Sequence, residues 1–267
     1  MALGALMVVI TDPLPKLLRL VYFPDSALNL TAVCRLTEVL ACAATGSCVW
    51  FTVAFTWDRF VAICCFRLKA RYCTERVATA ALSLLAVLSC LECTPWYFVY
   101  EPEYVVGGVS WGCQEKGSYY LSAAWASYEL AHLLLAPCVP FLLILLLNGL
   151  TVRHVLLASG ARRRLRSGAR DPELENRRRS LVLLFAITGS FVLLWLTKVT
   201  FHIYHRAVPY SYVDNAAGYA AESAGDMLQV LSTCTNTFVY TVTQSRFRQE
   251  LVRGLTLPLP RLLRSLT

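Results

Sequence analysis

Cys34 and Arg59 stand 25 residues apart on one long apolar stretch, and Arg59 belongs to the triplet Asp58-Arg59-Phe60, where that stretch turns basic. At ~1.5 Å per helical residue the interval is roughly 37 Å, more than the ~30 Å hydrocarbon core of a bilayer. A single helix would then carry a cysteine on an oxidising face and a charged pair on a reducing one. Trp111-Gly112-Cys113 lies in a segment that the order of apolar runs puts on the same outer side. A Cys34–Cys113 bridge would pin that segment over the helix end; the alternative is two unrelated thiols. Asp58 and Arg59 can pair at rest, and the arginine can reach an intracellular partner in a second state. Taken alone, such neighbours at a helix end are commonly just solvated. This geometry suits a receptor better than a pump, a pore or an enzyme.

Other spacings add to it. Phe191 and Trp195 are four apart and share a helix face, as do Asn236 and Tyr240, with Phe247 seven residues further on. Phe191 and Trp195 also fit plain aromatic core packing. An intramembrane Asn such as Asn236 needs a hydrogen-bond partner, and interhelical polar glue is its alternative role. Glu38, Glu129, His132, Lys198, His202, Glu222 and Asp226 fall in the outer halves of apolar runs. Ionisable groups there usually face a cavity or a partner. Glu222 and Asp226 share a helix face toward such a cavity, or else mark a wetted helix end. Carboxylates beside Lys198 and His202 suit a zwitterion or a short peptide. Asn29-Leu30-Thr31 is a glycosylation sequon close to the membrane.

The elements that must position these groups are apolar helices. The chain of 267 residues is 57% hydrophobic and 16% charged, against about 25% charge in a soluble domain. Six runs stand out, near residues 2–21, 30–65, 77–99, 119–157, 180–204 and 216–242. The first is weak, because Thr11-Asp12-Pro13 interrupts it. The fold class expected is all-α, a polytopic membrane bundle of about six spans with a short amphipathic C-terminal helix. Residues 1–245 form the bundle, and 246–267 form a cytoplasmic helix and tail that begins Arg246-Phe247-Arg248. The net charge is +8, but five, nine and five of the 25 Lys and Arg residues cluster at 59–76, 153–179 and 246–264. All three clusters fall on one side, which the positive-inside rule makes cytoplasmic. That placement points to the lipid bilayer and away from nucleic acid. No basic n-region precedes the first run, so no secretory signal is expected.

Eleven cysteines are present. Cys42, Cys48, Cys90, Cys93, Cys138 and Cys234 read as small buried hydrophobes. No Cys/His group has zinc-ligand spacing, no metal or other cofactor is expected, and no nucleophile–base pair suggests an enzyme. A transporter would show internal repeats with broken helices, and no such repeat is found.

In this order and spacing, Cys34…Asp58-Arg59-Phe60, Phe191-Val192-Leu193-Leu194-Trp195, Asn236-Thr237-Phe238-Val239-Tyr240 and Phe247 resemble the rhodopsin-like (class A) G-protein-coupled receptors. The resemblance implies a seven-helix receptor fold, with Cys34 and Arg59 on the third family helix and Cys34 bridged to Cys113. It makes Asp58, Arg59 and Phe60 the G-protein-coupling triplet, and Phe191, Trp195, Asn236, Tyr240 and Phe247 activation switches. The strings Val49–Cys64, Leu147–His154 and Tyr240–Arg248 are similar to the orphan subgroup that includes the receptors for tryptophan and phenylalanine. That subgroup implies coupling to Gq, an aromatic amino acid or a peptide carrying one as extracellular ligand, and a plasma-membrane location. A second receptor copy is a further partner to expect.

The chain also departs from the family pattern. The resemblance places Met1 inside the second family helix, so the first helix is expected to be missing, and the sodium-binding Asp aligns with Ala5. Thr197 and Thr237 stand where the family carries prolines, and Asn148 replaces a tyrosine. Ala41 stands where amine receptors carry an Asp, which argues against a biogenic amine. The alternative function is a truncated, non-signalling form that is retained in the endoplasmic reticulum or modulates a full-length receptor.

Overall fold

The structure, a computed structural model, describes residues 2–23, 26–165, 185, 189–201, 203–204, 216–243 and 249. Its helices are α1 (Ala2–Thr11), α2 (Pro13–Leu17), α3 (Thr31–Cys64), α4 (Phe66–Tyr72), α5 (Glu75–Cys93), α6 (Gly117–Leu121), α7 (Ala123–Leu133), α8 (Val139–Leu165), α9 (Gly189–Phe201) and α10 (Ala216–Thr243). Among the described residues, three stretches are long and apolar enough to cross a membrane by length and composition: Thr31–Cys64, Glu75–Phe98 and Ala123–Leu157. Leu84, Val87, Leu88 and Leu91 lie at one-turn intervals on α5, and all are exposed. An apolar stripe facing outward suits lipid, while Ser47, Thr52 and Thr56 of α3 are buried inside.

The central element is α3, whose 34 residues exceed the bilayer thickness. It packs against α1, α5 and α8. Against α5 the seam is made of small residues. Gly46 and Cys42 are one turn apart on α3, Ser89 and Cys93 one turn apart on α5, and a Cβ at Gly46 would sit 3.7 Å from the Ser89 hydroxyl. Small residues allow two backbones this approach where no hydrophobic force drives helices together. The antiparallel pairing sets Cys42 opposite Cys93, and the two form a disulfide. This corrects the reading of both as small buried hydrophobes. Each lies in an apolar run, and only the helix seam, 51 residues apart in sequence, brings them together.

Pro13 does not stop the chain's first run. Thr11 and Asp12 turn the helix, α2 follows with Pro13 at its start, and a π turn over Leu18–Tyr22 continues it. Proline in a first helical turn removes no needed donor. A second π turn, Leu134–Cys138 with Pro137 inside it, joins α7 to α8. Single π turns of this kind are frequent at functional sites.

The outer segment is not helical. β1 (Tyr100–Glu101) pairs with β4 (Gln114–Glu115), and β2 (Tyr104–Val106) pairs with β3 (Val109–Trp111), both antiparallel. The resulting hairpin is fastened to the start of α3. Gly112 N–H donates to the Asn29 carbonyl at 2.8 Å, the Thr31 hydroxyl donates to the Gly112 carbonyl at 2.8 Å, and Cys34 and Cys113 form a disulfide. Gly112 holds φ +69°, and a Cβ there would meet Glu103 Cβ at 2.7 Å. Gly112→Ala is expected to cost about 1–2 kcal/mol from the left-handed backbone alone, with the Glu103 contact added. Gly107→Ala, at φ +60° with nothing within 4 Å, should show only the backbone share. Thermal melting of the two purified variants checks the difference.

Candidate functional site

The outer ends of α2, α3, α9 and α10, the π turn before α8 and the β hairpin enclose a cavity of about 260 Å³. Its charged lining is Asp12, Lys16, Glu38, Lys198 and Asp226, with Glu115 from the hairpin. Trp96, Tyr100 and Tyr119 give it an aromatic side. Two ion pairs divide the charges. Lys16 reaches back one turn to Asp12 at 2.7 Å, and Lys198 pairs with Asp226. The second pair depends on close packing of α9 and α10, because a Cβ at Gly225 would sit 3.3 Å from the Lys198 backbone. Two cations beside four carboxylates can satisfy both ends of a zwitterion. Burial, reinforced by the Glu38 and Glu115 carboxylates, pushes the Tyr100 phenol well above the ordinary tyrosine range. Tyr100 therefore stays neutral and able to donate a hydrogen bond at any physiological pH.

Of the expected ligand residues, Glu38, His132, Lys198 and Asp226 line this cavity. Glu129 is buried, at 6% exposure, but is not among the lining residues. The backbone of Glu222 lies on α10 with its side chain outside the described set, and His202 lies outside the described residues. Asp12 and Lys16 are lining residues that the sequence reading missed. Their i,i+4 spacing directly around Pro13 is the signal that could have found them.

The cavity floor is Trp195. Its indole N–H donates to the Ser232 hydroxyl of α10 at 2.9 Å, and Ser232 donates to the Gln229 carbonyl at 2.7 Å. Beneath it, Phe191 and Trp195 have ring centroids 5.7 Å apart, and Phe141 of α8 meets Phe191 edge-on at 5.0 Å. Val49 of α3 and Ile144 of α8 complete this buried cluster. A side chain that moves Trp195 therefore pushes on α3, α8 and α10 at once. The side chains of Asn236 and Tyr240 on α10 are outside the described set, and Phe247 lies outside the described residues.

At the inner end of α3, Arg59 forms two hydrogen bonds to Asp58 Oδ2, at 2.7 and 3.2 Å, and lies over the Phe55 ring at 5.2 Å. Both charges are substantially open to solvent, at 46% and 34% side-chain exposure. An exposed neighbour pair is worth at most about 1 kcal/mol, so a competing partner can displace it. Phe60 packs beside Trp57 at 5.9 Å. The Cys73 thiol approaches the Asp58 carbonyl at 3.8 Å.

Asn29 and Thr31 of the sequon both engage Gly112, so in the folded chain this tripeptide is part of the hairpin's attachment. Local spacing also did not disclose one further cluster: Cys42, Glu92, Cys93 and His132, from three helices, bring one potential donor atom each to within 4.8 Å of one another. A scan against known families matches residues 3–240 to the model described as 7 transmembrane receptor (rhodopsin family).

Proposed function

The chain belongs to the rhodopsin family of seven-transmembrane receptors, and from that premise we propose that it senses an aromatic amino acid in the outer cavity and activates a heterotrimeric G protein of the Gq type through the Arg59 end of α3. The family supplies the coarse function: a multi-pass membrane receptor with an extracellular ligand and a G-protein partner. The cavity supports the finer reading. At about 260 Å³ it falls below the roughly 300–1,000 Å³ of drug-sized sites, which favours a single amino acid over a peptide. Lys198 would take the carboxylate, and Glu38 or Asp12 the ammonium. The ring would lie against the Trp96–Tyr119 wall, above Trp195. Residues 1–245 would act as the receptor bundle and 246–267 as a helix and tail on the inner leaflet.

Ligand contact with Trp195 would shift the Phe191–Phe141 stack and, through Val49, the inner half of α3. The expected experiment uses cells that display the chain at their surface. Tryptophan or phenylalanine should raise calcium, and the rise should vanish with a Gq inhibitor. Arg59→Ala should bind ligand unchanged yet lose at least 90% of the calcium signal, roughly the tenfold that follows from removing about 1.4 kcal/mol of partner interaction. Surface-displayed wild-type chain that neither binds nor responds to either amino acid would reject this reading.

A further inference from the structure

The geometry points to a divalent transition-metal site, zinc by chemistry, formed by Cys42 of α3, Glu92 and Cys93 of α5 and His132 of α7, and alternating with the Cys42–Cys93 disulfide. The four donor atoms lie within 4.8 Å of one another. A tetrahedral zinc ion with bonds of ~2.0–2.3 Å needs its ligands roughly 3.3–3.8 Å apart. One distance already fits, Cys93 Sγ at 3.3 Å from Glu92 Oε2; His132 Nδ1 and Glu92 Oε1, 2.6 Å apart in a hydrogen bond, must part by under ~1 Å to admit the ion. Two sulfurs, a nitrogen and an oxygen form a soft-to-borderline set that selects zinc over calcium or magnesium.

The surroundings hold the donors in place. Tyr128 donates its hydroxyl to the Glu92 backbone carbonyl at 2.8 Å, and the Trp96 ring meets both Tyr128 and His132 edge-on, at 5.7 and 5.8 Å. Ligand orientation by a packed outer shell is what such sites require. Access is through the outer cavity, which Cys42 and His132 both line. The site shares Cys42 and His132 with the cavity lining but uses neither Lys198 nor Asp226, so its test reads zinc and thiol protection independently of the amino-acid reading.

The two states interconvert with balanced chemistry. Two molecules of a small thiol give two electrons and two protons to the disulfide and leave joined as their own disulfide. Cys42 and Cys93 become thiols, and zinc then displaces their two protons. The disulfide state keeps α3 and α5 cross-linked, and so does the metal state.

The test uses the full chain in native membranes, reduced with a small thiol that is then removed. Zinc ion alone should slow alkylation of Cys42 and Cys93 at least tenfold, read by peptide mass spectrometry. Alkylation of Cys90, exposed on α5, should not change. Cobalt in place of zinc should give a thiolate charge-transfer band at one equivalent. His132→Ala should remove that band, and Glu92→Gln, at a direct ligand, should weaken binding by more than the ~10–100-fold typical of an outer-shell partner. Equal alkylation of Cys42 and Cys93 with and without zinc would overturn the site in the unmutated protein, as would a Cys42–Cys93 bridge recovered intact after thiol treatment.

Discussion

Lys198→Ala is expected to lower the potency of tryptophan or phenylalanine by about 30- to 150-fold, the equivalent of about 2–3 kcal/mol. Lys198 and Asp226 form an ion pair between α9 and α10, with side-chain exposures of 23% and 34%. Breaking a fully buried pair costs more, but a third of this pair still meets solvent, so the low end of the range applies. Asp226→Ala should fall in the same direction, because it removes a carboxylate from the cavity wall and strands the lysine. Charge exchange, Lys198→Asp with Asp226→Lys, separates structure from recognition. It should restore thermal stability by rebuilding the pair and leave potency low, because the cation then projects from α10. Radioligand binding and calcium dose–response curves, with melting of the purified variants, measure both. Unchanged potency in a well-expressed Lys198→Ala variant would remove this pocket from consideration.

The second large effect concerns the outer cap. Cys113→Ala opens the cross-link to Cys34, which spans 79 residues of sequence. Chain entropy for a loop of this length gives about 4.5 kcal/mol, and measured values for native bridges run at about 2–5 kcal/mol. That is a large share of a typical folding stability of about 5–15 kcal/mol. Surface display should drop more than tenfold. Cys34→Ala should do the same, and the double variant should be no worse than either single one, since both remove one bond. Flow cytometry of tagged, unpermeabilised cells reads all three.

What could be read from the sequence was local. Phe191 and Trp195 are four apart, and the rings do meet, because a helix fixes that geometry whatever surrounds it. Asp58 and Arg59 are neighbours at the end of an apolar run and pair there. Lys198 and Asp226, on separate runs, could be listed as candidates but not joined, since their contact depends on how α9 and α10 approach. Asp12 and Lys16 were missed because Asp12-Pro13 looks like a helix stop, whereas the chain turns through it and keeps both side chains at the cavity. The hairpin was invisible as structure: its strands are only two or three residues long, and they are held by two hydrogen bonds and a disulfide at the start of α3. Cys42 and Cys93 failed for the same reason as any long-range pair. A cysteine in an apolar run looks like a small hydrophobe until its opposite number is known.

Two of the cross-links share a helix. The Cys34–Cys113 and Cys42–Cys93 bonds meet α3 two turns apart, tying its outer third to the hairpin on one side and to α5 on the other. In mechanical terms this part of the receptor is a stator. Across the cavity from it, among the described residues, an ion pair and an indole hydrogen bond join α9 to α10, and a ring contact joins α9 to α8. A ligand that bridged the two sides would work against a fixed anvil, so its binding energy would go into displacing α9 and α10. Under the proposed function, the direction of the conformational signal would be set before any ligand arrives.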